Sequence, residues 1–392
     1  MTSPSFRIAV ITTVYRPLSH ADVIVSRWLE PRPTDVKYGW GAPRTTIASI
    51  HTVQCPPNDM AAEVCEKHGI PRFDTVEEAL TLGGDRLAVD GVLLIAEHGE
   101  YPDNEFRQKL YPRHELFEEV VAVFRREGRV VPLFFDKHFS WNPASIRAMY
   151  ATIAELGIPF FGGTSLTHMG LLPPQTLPGA GGAPQRVEEV VAIYHDALEA
   201  YLFHSLEVVE KLLEEQTTGY LNRRTGLEEI VAWSGAGVWK ALEEGVFSVK
   251  LLEAAALALA PDGVERFYTL RDQPEAELHA FQLRYRDGSK VTHVMQKATL
   301  RGWAFGWRAG ETVRANVVDA GSAEEFYPHF ARLSRLVEDF FLSGKPPIPL
   351  ERLYVTSLAT ALCMRALAQP GVPLAVEDGG LPLPLPEQKV EA

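Results

Sequence analysis

The sequence predicts an α/β chain of two domains: a doubly wound, Rossmann-like parallel sheet, then an α+β unit with a mostly antiparallel sheet. Three observations predict it. Strand-like and helix-like segments alternate through the first 160 or so residues. Val89–Ala96 and Val130–Phe135 are almost continuously apolar, as strands covered by helices on both sheet faces must be. From Gly162 the texture changes to Gly, Pro and Thr, and then to short β-type runs.

In order, Arg7–Thr13 reads as the first strand. Ser19, with Asp22 three residues later, forms a capping box opening a helix over Ala21–Leu29. Thr45–Val53 is a second β-branched run, and a helix from Asp59 to His68 follows it. Gly69–Phe73 gives a short strand, Asp74–Leu80 a short helix and Val89–Ala96 a buried strand. Helix Glu115–Glu127, strand Arg129–Phe135, helix Pro143–Leu156 and strand Pro159–Phe161 complete the first domain, placed at residues 1–161.

The second domain is placed at 162–381, with 382–392 as a frayed tail. Val187–Tyr194 suits helix or strand. Tyr201–Glu215 has helical spacing, with Leu202, Leu206, Val209 and Leu213 on one side. Glu265–Leu270, Leu278–Tyr285, Lys290–Gln296 and Trp303–Trp307 read as antiparallel strands, with Asp287-Gly288 as a hairpin turn. Ala323–Ser343 is a long helix. A last helix at 351–368 is expected to pack back on the first domain.

Composition narrows the function classes. Of the 392 residues, 46% are hydrophobic, and the formal net charge of -13 comes without a basic run, which argues against nucleic acid or an anionic membrane as the partner. No leader peptide and no apolar stretch of bilayer length is visible, so a cytoplasmic enzyme acting on a small molecule is expected. The three cysteines lack CxxC spacing.

Ligands of open α/β sheets bind beyond the carboxyl ends of the strands, so polar residues emerging there are the candidates. One strand runs into Asp136-Lys137-His138 and on to Trp141. Another runs into Glu97-His98-Gly99-Glu100-Tyr101, with Arg113 soon after, and the first runs toward Arg16, Ser19 and His20. Lys137 could orient substrate or act as acid or base, with His98 and His204 as further proton-transfer groups. His98, Asp136, His138, His204 and Glu207 are oxygen and imidazole donors suited to zinc, manganese or iron. For His204 and Glu207 a structural role is an equal alternative. Glu97, Tyr101, Arg113 and Trp141 are the substrate candidates, and Trp40 and Phe139 could add apolar walls. Arg16, Ser19 and His20, at a helix N-terminus, could hold an anion or a cofactor phosphate. The pair Arg223-Arg224 is a weaker anion candidate.

Several stretches resemble the Gfo/Idh/MocA family of sugar and polyol oxidoreductases. They are Lys67-His68-Gly69-Ile70-Pro71 with Thr75–Leu80 and Val89–Val92, then Gly128–Val131 leading into Asp136-Lys137-His138, and Ser343-Gly344-Lys345-Pro346-Pro347. The resemblance implies a Rossmann domain for NAD(P) and a mixed α/β domain for the substrate. It implies Lys137 in the place of the family's Glu-Lys-Pro lysine. His204 is most similar to the family's D-x-x-x-H histidine, whose aspartate position here is Ala200. The loop Thr12–His20 has no glycine where a dinucleotide needs G-x-G-x-x-G, and Thr52-Val53-Gln54 ends the second strand without an acid. The sequence therefore favours metal-assisted lyase, hydrolase or isomerase chemistry on a sugar, polyol or hydroxy acid in an interdomain cleft. An NAD(P)-dependent oxidoreductase with an atypical cofactor loop is the alternative, and a non-catalytic sensor or scaffold the third reading. A homo-oligomer is expected through the second sheet.

Overall fold

The computed structural model describes residues 6–174, 186–215, 226–274, 276–297, 299–321 and 324–377. Six parallel strands form the first sheet: β1 (Phe6–Thr12), β2 (Thr45–Thr52), β3 (Arg72–Phe73), β4 (Gly91–Ile95), β5 (Leu133–Asp136) and β6 (Phe160–Gly163), in the order β3-β2-β1-β4-β5-β6. All five residues of β4 are buried, which explains its uninterrupted apolar run. Helices α1 (His20–Leu29), α2 (Ala61–His68), α3 (Val76–Thr81), α4 (Arg113–Glu127) and α5 (Pro143–Leu156) connect these strands.

The predicted caps are present. Ser19 Oγ accepts from the Asp22 amide at the start of α1, and Thr75 and Asn142 cap α3 and α5 in the same way. Reversal of strand order at β1 and β4 creates a crevice at the carboxyl ends of β1, β4 and β5, and the candidate side chains emerge there.

The second domain is built on eight strands. They are β7 (Leu171–Leu172), β8 (Glu189–His195), β9 (Leu227–Ser234), β10 (Leu278–Tyr285), β11 (Lys290–Gln296), β12 (Ala304–Ala309), β13 (Thr312–Val318) and β14 (Leu374–Ala375), in the order β14-β9-β10-β11-β8-β12-β13-β7. Every pairing is antiparallel except β8 with β11. Helix α6 (Leu198–Glu215) packs on one face; α7 (Ala236–Glu243), α8 (Val249–Leu259) and α9 (Gly263–Tyr268) lie toward the other.

The segment expected as a strand at Glu265–Leu270 is helical instead. Phe267 and Leu270 point into the core, and Gly263 sits so close to α8 that a Cβ there would meet the Ala256 carbonyl oxygen at 1.9 Å. That close packing of two helices selects the helix over β-propensity. Val187–Tyr194 resolves as strand because β8 is buried on both faces between β11 and β12.

Two long helices close the molecule. α10 (Pro328–Ser343) packs on α1 and the β1 side of the first sheet. α11 (Leu350–Ala366) is shared: Leu353, Tyr354 and Leu358 belong to the first-domain core, whereas Ala359, Cys363 and Met364 belong to the second.

Candidate functional site

The strand ends and the second domain bring Lys137 into a buried cluster. Lys137 follows β5 with φ +65°, and its backbone bridges to Gly163 at the end of β6. Its Nζ donates to Glu97 Oε1 at 2.9 Å, and Arg113, at the start of α4, donates to Glu97 Oε2. Burial raises the Glu97 carboxyl, but Lys137 and Arg113 more than offset this and hold it well below the usual carboxylate range. Glu97 is an ionised hub between two buried cations.

Four histidines surround this hub, each from a different element. His20, at the first turn of α1, places Nδ1 2.6 Å from Asp136 Oδ2. The His98 ring lies 5.1 Å from His20, at φ +69°, with Nε2 buried and without a hydrogen-bond partner among the described residues. His204 of α6 hydrogen bonds through Nδ1 with Thr164 Oγ1, and His329 of α10 through Nδ1 with Ser165 Oγ at 2.7 Å. Burial, His20 and Lys137 push His98 and His329 down to about 3, and burial and Lys137 push His204 well below the usual imidazole range. These three rings are neutral hydrogen-bonding groups at neutral pH. An aromatic wall lies beside His204, where Trp303 sits 5.7 Å from His204 and 5.0 Å from both Tyr201 and His195.

A second buried group adjoins the hub on its far side. Arg113 NH1 lies 3.2 Å from His138 Nε2, and His138 Nε2 is 3.8 Å from Glu199 Oε1 on α6. Gln108 donates to that oxygen at 2.8 Å. Burial pushes Glu199 up to about 7, so it titrates near neutrality.

No family model matches this chain, and no curated protein does. Solved structures do. A scyllo-inositol dehydrogenase from Lactobacillus casei with bound NAD(H) and scyllo-inositol aligns with TM-score 0.58 and 10% identity, over 95% of this chain and 99% of that one. A myo-inositol 2-dehydrogenase from Lactobacillus plantarum aligns with TM-score 0.57 and 9% identity, over 95% and 100%. A probable dehydrogenase from Thermotoga maritima aligns with TM-score 0.56 and 12% identity, over 94% and 98%. The chain has their fold. The architecture expected from the Gfo/Idh/MocA resemblance, a Rossmann-like domain followed by a mostly antiparallel one, is therefore present from end to end.

The dinucleotide determinants of that fold are not. Thr13, Val14 and Tyr15 of the loop after β1 are fully buried, and Tyr15 Oη is bonded to Ser26 at 2.8 Å. The N-terminus of α1, where a pyrophosphate would rest, is occupied by Asp22, whose Oδ2 accepts from the Leu18 amide at 2.8 Å. Beyond β2, the Gln54 amide group pairs with the backbone of Glu100 at 2.8 and 3.0 Å, closing the place of a ribose-binding acid. These residues do not fit a dinucleotide in its usual position. Ser19 and His20, expected to hold a cofactor phosphate, instead cap α1 and bind Asp136, while Arg16 remains half-buried near His98.

The expected metal set is also corrected. Among the described residues no group of three or more His, Cys, Asp and Glu side chains is arranged to hold a metal ion. Asp136 is taken by His20, His138 faces the Arg113 cation, His204 bonds Thr164, and Glu207 accepts from Thr356 at 2.5 Å. Four of the five expected donors thus have partners of their own, only His98 keeps a buried Nε2 without one among the described residues, and the Arg113 cation beside His138 repels a metal.

Of the substrate candidates, Glu97 and Arg113 join the hub. Tyr101 meets the Tyr111 ring edge to face at 5.5 Å, with its hydroxyl buried and without a partner among the described residues. Trp141 is half-buried just before α5. Trp40 packs on Trp28 at 4.6 Å, and Phe139 lies in the first-domain core, so neither is a pocket wall. Arg223-Arg224 lies outside the described residues. His329, Ser165, Thr164 and Glu199 were not anticipated. Thr164-Ser165 directly follows the buried strand β6, so the strand-end rule that singled out the other clusters applies to it equally.

Proposed function

We propose that this chain is an enzyme that transfers protons on a small polyhydroxylated substrate, a sugar, polyol or hydroxy acid, held between the two domains. The observation that carries this reading is the ring of His20, His98, His204 and His329 around the Lys137–Glu97 ion pair.

The roles follow from the bonding. Asp136 fixes the His20 ring through Nδ1 and leaves Nε2 as the base for a substrate hydroxyl or an adjacent carbon acid. The Lys137 ammonium, held by Glu97, stabilises the negative charge that develops on oxygen. His98, His204 and His329 hydrogen bond to substrate hydroxyls, and the Trp303–Tyr201 faces pack against its C–H groups.

The oxidoreductase reading has a specific observation in its favour. The Lactobacillus casei structure holding NAD(H) and scyllo-inositol shares this fold over nearly its whole length, and by resemblance Lys137 stands where that fold's family keeps its lysine. This support places it above the metal-assisted reading. It requires a nicotinamide outside the usual groove.

One assay series tests both. Turnover and solvent-deuterium uptake are measured on a panel of inositols, hexoses and hexonic acids, with and without NAD+ or NADP+. Substrate-dependent exchange or turnover that falls at least 100-fold in His20→Ala and Lys137→Met supports the proton-transfer centre. Activity strictly dependent on added nicotinamide selects the oxidoreductase reading. Variants that retain full activity would overturn the assigned roles.

A further inference from the structure

Arg16 has no part in the chemistry proposed above, yet it stands beside the histidine ring with its charge unmatched. We infer that this site takes an anionic substrate, a polyhydroxylated molecule carrying a carboxylate or a phosphate, and that Arg16 recognises the anion. The inference rests on the proton-transfer reading of the same site and names the class of its substrate.

The backbone on both sides of Arg16 is fixed. Before it, Thr13 Oγ1 donates to the Glu97 carbonyl at 2.8 Å, and the Tyr15 carbonyl accepts from the Met60 amide at 2.6 Å. After it, the Arg16 carbonyl accepts from the Ser19 amide at 3.0 Å, and the Arg16 amide donates to Ser19 Oγ at 3.2 Å. These bonds close the turn Arg16-Pro17-Leu18-Ser19, with proline at its second position and Leu18 at φ +61° at its third, where glycine is usual. The turn delivers Arg16 just ahead of His20, the proposed base. It also brings the guanidinium near enough to His98 to help lower that ring, after burial, His20 and Lys137.

No acid compensates it. Among the described residues the Arg16 side chain makes no ion pair and no hydrogen bond. Asp22 of α1 is engaged by the Leu18 amide at 2.8 Å and the Ser26 hydroxyl at 2.6 Å, and Asp136 is taken by His20. Glu97 is shared between Lys137 and Arg113. Three cations therefore face two carboxylates, one of which is committed to an imidazole. The rings register the same excess. Apart from burial, His20, Arg27 and Lys137 lower His329, with no acid opposing them. In a chain of formal net charge -13, a crevice where cations outnumber acids draws anions.

Exposure puts Arg16 where a solute reaches it. Arg16, His20, His98 and His329 are each half-buried, whereas Lys137, Glu97 and Arg113 are buried. The planar guanidinium fork matches the paired oxygens of a carboxylate or phosphate, which a neutral polyol lacks. A substrate anchored there by its anion lies against His20, and the buried Lys137 and Arg113 add to the attraction without touching it.

Isothermal titration of the full chain with gluconate, glucose 6-phosphate and the neutral analogue sorbitol, at low ionic strength, tests it. At least one anion is expected to bind about tenfold or more tightly than sorbitol, with an affinity that falls as salt is added. Arg16→Gln should weaken that anion about tenfold or more and leave sorbitol unchanged, and Arg16→Lys should recover part of the loss. Arg16 has no side-chain partner to strand, so both variants should keep the wild-type unfolding temperature. The tighter of the two anions separates carboxylate from phosphate. Sorbitol binding as tightly as both anions, an anion affinity unchanged in R16Q, or no binding of any probe would overturn the inference. The proton-transfer reading fails separately: Arg16-dependent anion binding without solvent-deuterium uptake into the bound substrate removes the base and leaves the anion site, whereas uptake into sorbitol that is unchanged in R16Q keeps the base and removes the anion site.

Discussion

Glu97 shows how a single buried charge organises this site. It is 4% exposed and pairs with two cations, Lys137 and Arg113, that are themselves almost fully buried. Breaking a buried ion pair by removing one partner strands the other, at a typical cost of about 3–5 kcal/mol. Glu97→Gln is therefore expected to destabilise the fold by about that amount and to displace Lys137, read by urea denaturation. A loss below about 1 kcal/mol would show that the cations find other partners. Glu199 makes the opposite case. Its folded pKa is raised from 4.5 to about 7, so between these values the native state holds a proton that the unfolded chain has released. Stability from this group thus falls as pH rises through that window, by up to about 3 kcal/mol. Glu199→Gln should remove that slope and be more stable than wild type at pH 8. A variant less stable at pH 8 than at pH 5 relative to wild type would contradict the assignment.

At the scale of elements, α11 decides how independent the two domains are. It contributes Leu358 to one core and Met364 to the other, and Ser357 Oγ accepts from the Phe139 amide at 3.1 Å beside the site. Leu358→Ala, at a fully buried position, is expected to cost about 2–5 kcal/mol. Because the helix belongs to both cores, tryptophan fluorescence and far-UV dichroism should still report one coincident transition, and two separated transitions would show that the domains unfold separately. The parallel sheet was legible in the sequence because its strands are buried on both faces and its helices carry caps such as Ser19 and Thr75. The stretch from Leu227 to Tyr268 was not. Helix α8 buries Leu251, Leu252, Ala255 and Ala256 on one face but carries Ala and Leu on its other faces too, which blurs its period, and α9 is selected by contact with α8 rather than by its own pattern. The site was legible where residues leave strand ends, at Glu97, His98 and Lys137. His204 of α6 was reached only through the family resemblance and its spacing to Glu207, and the site was hidden where α10 delivers His329, because helix packing and not sequence spacing brings it in.

At the scale of the whole molecule, the histidines set the acid limit. Burial pushes His98, His168, His293 and His329 down to about 3 and His279 to about 4, and holds His138 and His204 well below the usual range. In the unfolded chain each returns to about 6.5. Below that value the unfolded state binds protons that the native state refuses, so every such histidine removes about 1.4 kcal/mol of stability per pH unit as the solution is acidified. Glu199 opposes this between 4.5 and about 7, but as one group against seven. Stability should therefore rise with pH up to about 6.5 and fall steeply below it, with the Glu97 ion pair adding a further loss only under stronger acid. Urea midpoints measured at pH 5, 6, 7 and 8 give the number of protons taken up on unfolding directly from the slope. A slope of several protons between pH 5 and 6 is expected. A flat profile there would mean that the histidines around Lys137 are hydrated and charged, and with it the neutral hydrogen-bonding roles assigned to His98, His204 and His329 would fall.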